Sequence, residues 1–334
     1  MSSSTVRGSR VGLQGASTVR SKSAVLNVTD YPKGASMLAD LDLLLIAVYC
    51  TADDLLPKPD KNAKRKVTDA EVVTLCVAQA MMGIPSDARF IAVARKRLGH
   101  LFTKLPDREG FYKRREALAD TIEALIAEFA SHCPGSTDDV LLVDSTPVEC
   151  ARSRETVKRG GHSSLDDALS NAADYGFCAS HSRYFYGFRL HTLFAIDGTP
   201  RALALTSPKV DEKEVCLQLV ARCKRQPGQF LTLIGDKNFR GKKFEADLAA
   251  LDATIHRPRR KDEPGKGPHL APIRQRIESI YWTAKDILTL ERHGARTLHG
   301  LRTRLACRFL ALAAAVALNH RLGLPTRSLA QYIA

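Results

Sequence analysis

Residues 140–144 of the chain read VLLVD, which is four apolar residues in succession followed by an aspartate. A short, uninterrupted apolar run of this kind predicts a strand buried on both faces of a sheet. Asp144 would then lie late in a buried strand, where an ionised carboxylate is costly unless a cation or hydrogen-bond donors compensate its charge. Two interpretations stay open from this stretch alone: a ligand of a metal ion, and a turn residue next to Ser145.

A second stretch further along the chain repeats the pattern. Residues 230–236 read FLTLIGD, so a second apolar run ends in Gly235 and Asp236. If the two strands are neighbours, both aspartates lie at the edge of the sheet where open α/β sheets bind ligands. A Gly-Asp pair is also a common turn, and this alternative remains open.

The sequence around these two runs predicts a sheet domain. Strands are predicted at 140–143, 184–196, 202–206, 230–234 and 254–256, and helices at 212–223 and 242–251. Three strands in succession, then alternating helices and strands, predict a mixed five-stranded sheet with flanking helices, of the α+β or α/β class. This order matches a ribonuclease-H-like core. Residues 151–182 are expected to form a loop-rich insertion.

The regions on either side of this domain are predicted to be helical. Apolar residues recur at three- and four-residue spacing within residues 37–133, where Thr68 and Glu71 form a capping-box signature. Basic stretches at 95–97 and 113–115 suit a DNA-binding module of the helix-turn-helix type, and a solvated charged face is the alternative. Two further regions are expected: a disordered basic tail at 1–36, and a C-terminal helical segment at 297–334 that packs on the domain at 138–296.

The composition favours an anionic partner. Lys and Arg number 50 against 36 Asp and Glu, a formal net charge of +14, and this excess attracts polyanions such as nucleic acid. The cysteines form no C-x-x-C pair, which is typical of reduced thiols in the cytoplasm. The apolar run at 309–318 is far shorter than the roughly 20 residues that cross a bilayer, so no membrane partner is expected. Phosphate-loop, nucleophile-elbow and H-E-x-x-H motifs are missing from the sequence, which disfavours those enzyme classes.

A third acid is predicted on a helix that begins near Pro272. At about 100° per residue, Arg274, Glu278 and Lys285 fall on one polar stripe beside an apolar face. Taken alone, a solvated face with an ion pair between residues four apart is the simpler interpretation. The stripe gains significance because the same predicted domain carries two strand-end aspartates.

Together, Asp144, Gly235-Asp236 and the spacing Arg274-x3-Glu278-x6-Lys285 resemble the DDE transposases of bacterial insertion sequences. The resemblance covers roughly residues 138–290 and includes YGFRLH at 186–191 and DKNF at 236–239. It implies a ribonuclease-H-like catalytic domain at 138–296, in which Asp144, Asp236 and Glu278 are the catalytic and metal-binding acids.

The resemblance also implies a reaction, a cofactor and partners. The expected reaction is metal-dependent cleavage at the ends of an insertion sequence and strand transfer into target DNA, with two Mg²⁺ ions for which Mn²⁺ can substitute. A homodimer on DNA is expected, in the bacterial cytoplasm with the nucleoid. The alternatives are a structure-specific nuclease of the same fold and a catalytically idle DNA-binding regulator derived from a transposase.

Basic residues near the three acids are expected to contact the DNA backbone. Arg274 and Lys285 share the stripe of Glu278, where balancing its charge is the alternative role. Arg189 and His191 alternate onto one face of the second strand, and simple surface exposure explains them equally well. The remaining candidates follow the second aspartate or precede the helix: Lys237, Arg257, Arg259, Arg260, Lys261 and Lys266.

Overall fold

A computed structural model gives the fold, and it describes residues 40–57, 66–151, 168–178, 182–260, 262–263 and 267–333. Several sequence predictions lie outside these residues, namely the basic tail at 1–36, most of the segment at 151–182, and Lys261 and Lys266.

Helices precede the sheet, as the sequence predicts. In the part of the chain that is described they are Leu41–Leu55 (α1), Asp69–Met81 (α2), Asp87–Arg97 (α3), Arg108–Ala117 (α4) and Ala119–Ser131 (α5). The predicted capping box at the start of α2 is confirmed. The N–H of Glu71 donates to Thr68 Oγ1 at 3.1 Å, and the N–H of Thr68 donates to Glu71 Oε2 at 2.5 Å. These bonds satisfy two backbone N–H groups at the start of the helix, where no helical carbonyl oxygen is available as their acceptor.

One of the two basic stretches predicted on these helices is not a free basic surface. Arg115 is fully buried, and its guanidinium donates to both carboxylate oxygens of Asp87, at 2.9 and 3.1 Å. Arg114 forms an ion pair with Asp69, and Lys113 with Glu109. The stretch at 95–97 is exposed at the end of α3. The basic surface predicted at 113–115 is therefore reduced to Lys113, because Arg114 and Arg115 are paired within the helical region.

The sheet is mixed and has six strands among the described residues. They are Val140–Ala151 (β1), Asp174–Cys178 (β2), Arg183–Ala195 (β3), Pro200–Thr206 (β4), Leu231–Ile234 (β5) and Ala253–His256 (β6). The order is β2-β3-β1-β5-β6, and β4 also pairs with β3. Strands β2, β4 and β1 are antiparallel to β3, whereas β1, β5 and β6 are mutually parallel. The predicted class, a mixed sheet with antiparallel pairing first and parallel pairing later, is confirmed.

The sheet differs from the predicted one at β2, which lies in the segment expected to be loop-rich. Residues 174–178 pair with the start of β3, and aromatic rings meet across the pair: Tyr175 with Tyr186 at 4.9 Å, and Phe177 with Tyr184 at 5.1 Å between centroids. Such cross-strand aromatic pairs stabilise a two-stranded ribbon. The strand is short and contains Gly176, so its own sequence predicted it poorly; the partner on β3 supplies the stabilising contacts.

Helices cover both faces of the sheet. One face packs against Glu212–Arg222 (α7) and Lys242–Ala249 (α8), which follow the short helix Leu169–Ala172 (α6). The other face packs against Ala271–Asp286 (α9) and Leu298–Arg321 (α10).

Helix α10 is buried on nearly every side. It lies between the sheet, where Phe309 meets Phe194 at 6.1 Å, and helices α1, α2 and α5. One hydrophobic core therefore runs through the N-terminal helices, the sheet and α10. The domain boundaries near residues 133–138 and 296–297 remain predictions. No described helix has both the length and the apolar character needed to cross a membrane.

Candidate active site

Asp144 lies within β1, which continues to Ala151 beyond the predicted strand end at residue 143, and Asp236 follows the neighbouring parallel strand β5. The last register pair between β1 and β5 joins Leu142 to Ile234. Each aspartate comes two residues after its strand's member of that pair. The adjacency of the two strands, on which the sequence argument depended, is confirmed, and it places the aspartates at the carboxyl ends of the paired segments.

Asp144 is partly buried, and its charge is poorly compensated. The pKa of Asp144 is raised to about 7: burial is the largest cause, and the negative charges of Asp236 and Glu212 contribute to the rise. Two effects oppose this rise in the pKa: the N–H of Ser145 donates to Asp144 Oδ1 at 2.8 Å, and Arg274 lies nearby. A bound cation favours the ionised form of such a carboxyl, because it supplies the charge compensation that burial removes.

Asp236 shapes the turn in which it lies. Its Oδ1 accepts from the backbone N–H of Asn238, and its Oδ2 accepts from Asn238 Nδ2 at 3.1 Å. A carboxylate has about four lone-pair sites, so these bonds leave acceptor capacity free. The turn interpretation and the ligand interpretation of Asp236 are therefore compatible.

Gly235 allows this turn to approach the sheet closely. A Cβ at this position would lie 2.8 Å from a ring carbon of Phe239 and 3.0 Å from a methyl carbon of Val143. Both distances are shorter than the usual van der Waals contact of carbon atoms. The small residue thus lets the start of the Asp236 loop pack on β1.

Glu212 is an acid of this site that the sequence analysis did not select. It is the first residue of α7, and its Oε1 accepts from Ser145 Oγ at 3.0 Å and forms an ion pair with Arg189. Ser145 lies 67 residues earlier in the chain. No local sequence pattern predicts a contact between residues so far apart in the chain. The sequence around Glu212 indicates only that a helix begins there.

Arg189 and His191, the two candidates on β3 for contacting DNA, both form contacts within the protein. Besides the ion pair with Glu212, Arg189 donates to the carbonyl oxygen of Phe177 at 3.1 Å. His191 is 2% exposed and hydrogen-bonds Thr206 Oγ1 at 3.1 Å. Burial and the charge of Arg189 lower the pKa of His191 to about 4. The expected exposure of His191 is thus wrong, because its imidazole is buried and bonded to Thr206 of the neighbouring strand β4.

Helix α9 carries the third predicted acid, and its periodicity agrees with the sequence. Ile277, Ile280 and Tyr281 are buried, while Arg274 is partly buried and Glu278 is exposed. Asp144, Asp236 and Arg274 are close enough to interact electrostatically. In the described ranges, no three His, Cys, Asp or Glu side chains are arranged to hold one metal ion as they stand. Arg274 is thus the residue of this stripe that interacts with Asp144, and the side chain of Glu278 is exposed.

The remaining basic candidates divide into paired and exposed groups. Lys285 forms an ion pair with Glu291 at 3.3 Å, and Arg257 with Glu263 at 2.8 Å. Arg260 donates to the carbonyl oxygen of Lys237 at 3.2 Å and to Asn238 Oδ1 at 3.1 Å, so it supports the loop that carries Asp236. The side chains of Lys237, Arg259 and Arg260 are exposed.

The donor set at the strand ends fits a hard divalent cation. Carboxylate oxygens are the ligands that Mg²⁺ and Mn²⁺ prefer, and the carboxylates of Asp144 and Asp236 are close enough to interact electrostatically. The pKa of Asp144 is raised mainly by burial and also by the charges of Asp236 and Glu212, and a bound cation would offset both effects.

A family model described as a transposase DDE domain matches residues 135–314. The matched range includes Asp144, Asp236, Glu278 and Glu212, and it extends into α10, beyond the predicted domain end at residue 296. No curated protein matches the chain.

Proposed function

The chain belongs to the family of transposase DDE domains, and we therefore propose that it cuts DNA at the ends of an insertion sequence and joins those ends to target DNA. The observation that carries this proposal is the adjacency of Asp144 and Asp236 after the last pair of β1 and β5. The formal net charge of +14 suits the polyanionic substrate of this family.

Transposases of this family use divalent metal ions, and the proposal assigns the ion of this chain to the two aspartates. Asp144 and Asp236 would hold it, with Glu278 of α9 as the third acid, and Mg²⁺ or Mn²⁺ suits these oxygen donors. Two such ions, when bound, supply an activated water or hydroxyl and stabilise the leaving oxygen.

The protein's own residues have positioning roles in this proposal. Arg274 lies close to Asp144, where its guanidinium can hold a phosphate of the scissile strand through charge-assisted hydrogen bonds. The exposed side chains of Lys237, Arg259 and Arg260 extend a basic surface from the loop of Asp236. These contacts would orient the backbone of the DNA without reading its sequence.

The proposal extends to assembly and to the rest of the chain. Transposition requires two DNA ends to be held together, so we propose a homodimer on DNA, in the bacterial cytoplasm. The helical region at 37–133 is proposed to bind DNA through the exposed stretch at 95–97 and the exposed Lys113, rather than through the paired Arg114 and Arg115.

The test is cleavage and strand transfer on a labelled DNA fragment that ends in the flanking inverted repeat, with Mg²⁺. Wild type should cut and join, whereas Asp236→Asn should bind the fragment and do neither. Asp286→Asn is the control, because Asp286 is an exposed carboxylate at the end of α9. Cutting without joining would mean a nuclease. Binding by wild type without either reaction would mean a DNA-binding regulator.

A further inference from the structure

Helices α9 and α7 form hydrogen bonds with the sheet on its two faces, beside Asp144 and at Ser145. Register pairs lie on the same face of a sheet, and Asp144 pairs with Thr192, whose hydroxyl contacts Tyr281 of α9. Ser145, the next residue, points to the opposite face, where its hydroxyl donates to Glu212 of α7. Consecutive residues of β1 are thus held from both faces.

Ser145 connects Glu212 to the carboxylate of Asp144 through two separate hydrogen bonds, one from its hydroxyl and one from its backbone N–H. Glu212 Oε1 accepts from Ser145 Oγ at 3.0 Å, and the backbone N–H of Ser145 donates to Asp144 Oδ1 at 2.8 Å. Arg189 balances the charge of Glu212. The side chains of Arg189 and Glu212 are only 19% and 27% exposed, so water competes weakly for these bonds.

We propose that Glu212 is a positioning residue of the metal site: acting through Ser145, it fixes the orientation of the Asp144 carboxylate. This inference rests on the proposed function, because it concerns the same site. Groups that hydrogen-bond or orient the ligands of a metal ion raise its affinity without touching the ion. Glu212 in this role binds Ser145 and Arg189 and does not bind the ion.

The inference predicts a specific order of variants. Glu212→Ala removes the acceptor of the Ser145 hydroxyl and should weaken Mn²⁺ binding about tenfold, a typical effect for a group of this kind. Glu212→Gln keeps an oxygen acceptor for Ser145 and should retain most of the affinity. Ser145→Ala should resemble Glu212→Ala, and the double variant should be no worse than either, because both changes break one connection.

The measurement is a titration of the full chain with Mn²⁺, followed by electron paramagnetic resonance of the free ion. Cleavage of labelled DNA at increasing Mn²⁺ concentration accompanies it. Glu214→Ala is the matched control, since Glu214 is an exposed acid of the same helix. Circular dichroism verifies that each variant is folded. If Glu212→Ala does not fold, Ser145→Ala gives the same comparison.

Two results would overturn the inference. One is Mn²⁺ affinity in Glu212→Ala and Ser145→Ala equal to that of Glu214→Ala. The other is equal loss in Glu212→Gln and Glu212→Ala, since a residue that binds the ion directly needs its charge. The proposed function fails separately, when wild type binds Mn²⁺ but does not cut. If wild type binds Mn²⁺ no better than Asp236→Asn, both the inference and the metal site of the proposed function are refuted.

Discussion

The hydroxyl group of Tyr281 lies 2.7 Å from the hydroxyl group of Thr192. Thr192 is the residue of β3 that pairs with Asp144 across the sheet. Tyr281 therefore fixes α9 at the level of Asp144, and the ring of Phe194 meets it edge-on at 6.3 Å. Glu278 lies about one turn before Tyr281, on the polar stripe beside the apolar face that carries Tyr281, so this contact also fixes the position of Glu278.

Removal of this hydroxyl should affect both stability and activity. In Tyr281→Phe the buried Thr192 hydroxyl loses its partner, so we expect the free energy of unfolding to fall by about 1 kcal/mol. DNA cleavage should fall severalfold more than DNA affinity, because the placement of α9 loosens. Urea unfolding and cleavage rates measure the two effects. Tyr184→Phe is the control, since Tyr184 is 73% exposed, and equal behaviour of the two variants would contradict the role of Tyr281.

The stability of the metal-free protein should depend on pH through Asp144. Its pKa is raised to about 7 in the folded chain, chiefly by burial, against about 4 in an unfolded chain. The folded state thus favours the protonated carboxyl, and this contribution to stability is complete below pH 4 and lost as the pH rises through 7. Asp144→Asn, which carries no charge, should escape that loss.

We expect Asp144→Asn to exceed wild type in free energy of unfolding by roughly 1–2 kcal/mol at pH 8, and by less at pH 5. Urea unfolding in the presence of EDTA at both pH values measures the difference. Asp286→Asn, at an exposed position, should show no such dependence. A difference between Asp144→Asn and wild type that does not grow between pH 5 and pH 8 would refute the expectation.

Gly235 should tolerate no larger residue. The Cβ of Gly235→Ala would meet Phe239 at 2.8 Å, Val143 at 3.0 Å and Ile255 at 3.2 Å. Relief of this overlap requires movement of β1 or of the Asp236 loop, and overpacking of this kind costs about 1–3 kcal/mol. Thermal unfolding measures the loss, and the cleavage rate should fall with it because Asp236 moves. An unchanged melting temperature would show that the loop adapts without cost.

The fluorescence of Trp282 can be used to detect metal binding near α9. It is the single tryptophan of the chain, is 62% exposed and lies four residues after Glu278. Paramagnetic Mn²⁺ at the proposed site should quench its fluorescence, whereas Mg²⁺ should not. Asp236→Asn should reduce the quenching at low Mn²⁺ concentration. Equal quenching of wild type and Asp236→Asn would mean that the ion binds elsewhere.

The sequence predicted the elements of the fold with few errors because their signals are local. The apolar runs that end at Asp144 and at Gly235-Asp236 became β1 and β5, and the Thr68 capping box starts α2. Strand β2 escaped prediction because its stability comes from aromatic partners on β3 rather than from its own five residues.

The candidate site was predicted less completely. Asp144 and Asp236 were found because each follows an apolar run, and the stripe of α9 because it repeats with the helical period. Glu212 was missed, and the exposure expected of His191 was wrong. The role of Glu212 and the burial of His191 both depend on which elements pack against β1 and β3. That packing produces no periodic pattern in the sequence.

Local patterns in the sequence predict most of the helices and strands, the two aspartates that follow apolar runs and the helix that carries Glu278, because apolar periodicity over a few residues fixes which face of an element is buried. Tertiary structure alone decided that Glu212 meets Ser145 across 67 residues and that Arg115 pairs with Asp87 inside the helical region. The physical reason is that burial makes an unpaired charge costly, so the packing of distant elements determines which charges pair with each other and which remain available for a cation or for DNA.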